Sequence, residues 1–151
     1  MTQVPERTTR APRQDVLVYF LLLAAAAHLP VLADHLHEAT WMGIAFTAFI
    51  YTALALATAL LLRPANPLGV AAGALCLAAV TTYAATRIVA FPQLADDVGN
   101  WRDPWGLVSV SAELVVVILT VIAITRDRRS SGDPHILISP SPTASAGSAP
   151  G

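Results

Sequence analysis

Residues 41–62 read WMGIAFTAFIYTALALATALLL. No Asp, Glu, Lys, Arg or His interrupts the run from Trp41 to Leu62. As a helix rising 1.5 Å per residue, it crosses a hydrocarbon core of roughly 30 Å. Three further apolar runs, 16–33, 68–91 and 105–125, have comparable lengths. The first extends to a helix over about 16–36. Short connections join the four, so the sequence predicts an all-α integral membrane four-helix antiparallel bundle over 16–125.

Composition agrees. Of the 151 residues, 55% are hydrophobic and 13% charged, with a mean hydropathy of +0.60. That balance excludes an ordinary soluble domain. The formal net charge of −1 gives no sign of nucleic-acid binding. Cys76 is the only cysteine, so neither an intramolecular disulfide nor a CxxC site is available. Ala25–Ala27 passes for a signal-peptidase site behind Arg7, Arg10 and Arg13, but the apolar run continues beyond it and favours a retained helix.

All basic residues are arginine. Arg7, Arg10, Arg13, Arg63, Arg126, Arg128 and Arg129 fall on one side of the bundle, with Arg87 and Arg102 towards the other. The positive-inside rule places both termini in the cytoplasm of a bacterial inner-membrane protein. The opposite face receives Asp34, Glu38, Asp96, Asp97 and Asp103, with Trp41, Trp101 and Trp105 at the interface. Arg63-Pro64-Ala65-Asn66-Pro67 reads as a tight turn. Asp103-Pro104 reads as N-cap and first position of the fourth helix. Pro92 closes the third. Pro30 kinks the first or ends its regular part. Residues 1–15 form a tail, as do 126–151, where Ser, Pro, Gly and Ala predict disorder. His135 belongs to that tail and takes no role.

Polar residues within the runs form stripes. On the third helix Gly69, Gly73, Cys76, Val80, Tyr83 and Arg87 share a face that includes a GxxxG. On the fourth, Gly106, Ser109, Glu113, Val117 and Thr120 do the same. A bare carboxylate at Glu113, roughly 12 Å past Trp105, costs several kcal/mol. An Arg87–Glu113 ion pair is the expected answer, with His28 donating to the same cluster and Thr47 or Tyr51 joining from the second helix. Such a cluster either fixes helix register or handles a proton, a metal or a small ligand.

Three histidines, His28, His35 and His37, fall in DHLHEA and the turns before it. His35-Leu36-His37 suits one metal only on a non-helical backbone. Glu38 and Asp34, or Asp96 and Asp97 from the facing loop, then complete a shell for Zn or Cu. The alternative is a solvated helix end. A bis-histidine haem finds ligands on one helix only. HExxH, GxSxG, P-loop and Rossmann patterns are absent from the sequence.

HLHEA, TRIVAFPQLADDVGNW, DPWGLVS and Glu113 together resemble a set of small actinobacterial four-helix membrane proteins. The resemblance spans roughly 16–125. It implies the same topology and singles out the same polar residues, and carries no mechanism. The functional expectation is a non-enzymatic accessory or small-subunit membrane protein with a metal- or ligand-binding cluster at its outer face. It sits in the lipid bilayer as a homo-oligomer or with an unidentified membrane partner. A redox or metal-handling protein using His35 and His37, and a proton-linked carrier using Glu113, are the alternatives.

Overall fold

The computed structural model describes residues 12–131; the expectations for both tails, His135 included, fall largely outside them. The chain forms α1 (Pro12–Glu38), α2 (Thr40–Leu62), α3 (Asn66–Ile88), a 3-10 turn (Ala95–Asp97) and α4 (Pro104–Ser131). All four α-helices are long and apolar enough to cross a membrane. They run antiparallel, with Ala39 alone between α1 and α2.

The ends follow from local chemistry. Arg63 leaves the helical region and its N–H closes α2 on the Ala59 carbonyl. Pro67 then occupies the first turn of α3, where its missing N–H costs nothing. Asp103 caps α4 by accepting the Gly106 N–H at 2.8 Å. The helices differ from expectation by three residues or more at three ends. α1 starts at Pro12 and α4 reaches Ser131, because the charged flanks contain nothing that breaks a helix. α3 stops at Ile88, earlier than 91: Val89 is already extended, and Pro92 disfavours helix in the residue before it. Pro30 does not end α1, which is helical on both sides of it.

Packing is uneven around the bundle. α1 lies along α2 and α4, α3 lies along α4, and α2 and α3 meet only sparsely. Leu17, Val18, Leu21 and Ala24 are core residues, so the part of α1 ahead of Ala27 belongs to the bundle. Alanines at 24, 53, 57 and 72 are almost fully buried and let backbones approach. α3 and α4 approach closely at Gly73, where a Cβ would stand 2.6 Å from the Thr120 side chain. Thr120 in turn donates to the Gly69 carbonyl at 3.1 Å. At the end carrying Pro12 and Ser131, which we call the tail end, Arg13 donates to the Leu119 carbonyl. Asn66 donates there to Asp127 at 2.8 Å. The opposite end, with residues 89–103, is the loop end.

The two glycines of GxxxG therefore differ. Gly73→Ala forces Thr120 aside and should cost about 1–3 kcal/mol. Gly69→Ala meets open space and should change stability by under about 1 kcal/mol. Thermal melts of both variants in one detergent check the contrast.

Candidate functional site

A cavity of about 380 Å³ lies in the loop half of the bundle, with walls from all four helices. Its polar groups form two tiers. The first is built around Arg87, which is 7% exposed. Arg87 Nη1 meets Asp97 Oδ1 at 2.5 Å, and Nη2 stands 3.8 Å from Asp103 Oδ2. The guanidinium lies 4.6 Å from the centre of the Tyr83 ring. Among the described residues, Arg87 Nε and the Tyr83 hydroxyl are buried without a hydrogen-bond partner.

The second tier lies deeper. Glu113 is 1% exposed, and Ser109 Oγ donates to its Oε1 at 2.8 Å. His28 Nδ1 is 2.9 Å from the Ala24 carbonyl. A carbonyl only accepts, so Nδ1 carries a hydrogen. The same nitrogen is 3.3 Å from Ser109 Oγ, which can accept while donating onward to Glu113. This leaves Nε2 as the ring atom 4.0 Å from Glu113 Oε1, too far for a direct hydrogen bond. Two net-neutral pairings exist: imidazole with carboxylic acid, or imidazolium with carboxylate. Both hold the same number of protons. Phe46 and Phe49 flank the imidazole, with centroids at 4.7 and 4.6 Å.

Arg87 does not pair with Glu113. It sits one residue from the end of α3, whereas Glu113 is nine residues past the start of α4. That offset is roughly 12 Å along the bundle, and Arg87 turns to Asp97 and Asp103 instead. The shorter α3 is the cause, because it brings Arg87 up to the loop carboxylates. Asp97 is thus a partner of Arg87, while Asp96 is exposed. Thr47 and Tyr51 do not join the cluster: Tyr51 is 71% exposed, and Thr47 donates to its own Gly43 carbonyl. α2 presents Met42, Phe46 and Phe49 to the cavity instead.

The helix persists through Glu38, so His35 and His37 point roughly 200° apart. His37 and Glu38 are exposed. Among the described residues, no three His, Cys, Asp or Glu side chains come together as metal ligands do. His35 instead shares a face with His28, seven residues earlier. Its Nδ1 bonds the Val31 carbonyl at 2.8 Å, and its ring lies 4.9 Å from Phe46. Sequence reasoning did not assign Phe46, Phe49 or Ser109 to the site, nor Asp103 as a counter-charge. The seven-residue spacing of the histidines was the available signal for their shared face.

Compared with protein-family models, curated proteins and solved structures, the chain finds no match.

Ser109 is the hydrogen-bond donor to Glu113, and its loss should register mainly while the carboxyl is there. Ser109→Ala should cost about 1–3 kcal/mol in the native background and under about 1 kcal/mol beside Glu113→Leu. Unfolding measurements on the two single variants and the double variant give the coupling.

Proposed function

We propose that this multi-pass membrane protein binds a small ligand in the loop-half cavity and carries out no reaction of its own. The observation that carries the reading is the set of buried polar atoms around one space. Among the described residues, Arg87 Nε and the Tyr83 hydroxyl lack partners, and His28 Nε2 and Glu113 stand 4.0 Å apart without touching. Buried polar groups are ordinarily satisfied, and a ligand supplies what the fold leaves open. The volume falls within the range of small-molecule sites. An accessory or small-subunit role is compatible with it.

The orientation belongs to the same proposal. Seven arginines lie at or beyond the tail end in the sequence, which supports a cytoplasmic tail end and an outward cavity. A metal site using His35 and His37 has less support, because the helical backbone separates them.

Saturation-transfer NMR with small amphiphilic fragments tests the binding role in lipid nanodiscs, with empty nanodiscs as blank. Fragments should bind the native protein and lose their signal in Ala79→Phe, which fills the cavity from α3. Absence of protein-dependent signal for every fragment would contradict it.

A further inference from the structure

The charged groups around the cavity are unbalanced. Asp97, Asp103 and Glu113 border the cavity together with Arg87, and both aspartates already engage that guanidinium. Among the described residues, the only basic side chain within 4.0 Å of Glu113 is His28. That imidazole holds Nδ1 to the Ala24 carbonyl and makes no direct hydrogen bond to Glu113 from Nε2. An organic anion entering this space meets a guanidinium that Asp97 and Asp103 already match and a His28–Glu113 pair with no net positive charge. A cation can take the place of the proton that the His28–Glu113 pair holds, which leaves to water and makes Glu113 the counter-carboxylate.

The walls favour the same charge. Phe46, Phe49, Tyr83 and Trp105 all border the cavity. Aromatic faces carry the negative part of the ring quadrupole and attract cations, most strongly where water is excluded.

The side opening points to the bilayer. Ala45, Ala48 and Thr52 of α2 and Ala78 and Thr82 of α3 border the cavity and are exposed. They lie where α2 and α3 meet only sparsely, on helices of membrane-spanning length. Thr52 and Thr82 hold their hydroxyls on their own helices, at 2.7 and 2.9 Å from the Ala48 and Ala78 carbonyls. The seam is therefore small-sided and presents no free hydroxyl to hydrocarbon.

We infer that the cavity takes a lipophilic organic cation, such as an aryl-substituted amine or pyridinium, admitted from the bilayer between α2 and α3. The inference rests on the ligand-binding reading and adds to it the charge of the ligand and its route. Glu113 is the counter-charge, and Phe46 and Phe49 hold the aryl group.

Three probes of nearly equal shape separate the two claims: N-methyl-para-phenylpyridinium, neutral para-methylbiphenyl and anionic para-phenylbenzoate. Equilibrium dialysis against protein in lipid nanodiscs, with empty nanodiscs as blank, measures each. The cation should saturate at about one per chain, bind at least about tenfold more tightly than the neutral probe, and far exceed the anion. Glu113→Gln should weaken the cation about tenfold or more and leave the neutral probe unchanged. Trp105→Leu, at the exposed rim, should weaken the cation severalfold relative to the neutral probe and serves if Glu113→Gln does not fold. Equal binding of the cation and neutral probes, or a cation indifferent to both variants, overturns the charge assignment and leaves the ligand-binding reading standing. Saturable binding by none of the three overturns both.

Discussion

Arg87 decides the arrangement of the loop end. A guanidinium does not shed its proton in a protein, and at 7% exposure it cannot rely on water. It therefore takes carboxylates from two places in the chain, Asp97 in the 3-10 turn and Asp103 at the start of α4. The same Asp103 caps α4 through the Gly106 N–H. Gly99, at a φ of 78° that favours glycine, donates its N–H to the Arg87 carbonyl. One residue thus binds the end of α3, the loop and the first turn of α4 together. With Arg87 held there, Glu113 is left to Ser109 and His28, and the polar tier inside the bundle stays separate from the loop.

The uneven packing of the helices does the rest. α1 and α4 form the spine, and alanines and Gly73 bring the backbones close in the core. α2 and α3 flank that spine and barely meet. In the loop half α2 places Phe46 and Phe49 against His28, whereas the core below is mostly alanine, leucine and valine. A cavity with aromatic sides and a carboxyl on its wall results.

Much of this was legible in the sequence. Four long apolar runs fix the number of helices, since hydrocarbon leaves backbone groups no other partners. Asp103-Pro104 and Arg63-Pro64 fix ends, because capping and proline are local effects. The stripes of α3 and α4 face the bundle as their spacing requires. What periodicity does not give is depth. A difference of three residues in the end of α3 moved Arg87 from Glu113 to Asp97. Nor does it give rotation where polar and apolar residues share a helix. Thr47 satisfies its hydroxyl on the preceding turn, so α2 is free to turn its aromatic side inward. The histidine-rich end misled for a related reason. Asp34 to Glu38 remain helical, and His35 shares its face with His28 and not with His37.

The most direct test of this account is a charge exchange between Arg87 and each candidate partner, read as thermal stability in detergent. Arg87→Asp should destabilise the protein strongly, and adding Asp97→Arg should recover a large part of the loss. Adding Glu113→Arg to Arg87→Glu should recover none. Recovery through Glu113, without recovery through Asp97, would show that Arg87 reaches into the bundle and would contradict the two-tier arrangement.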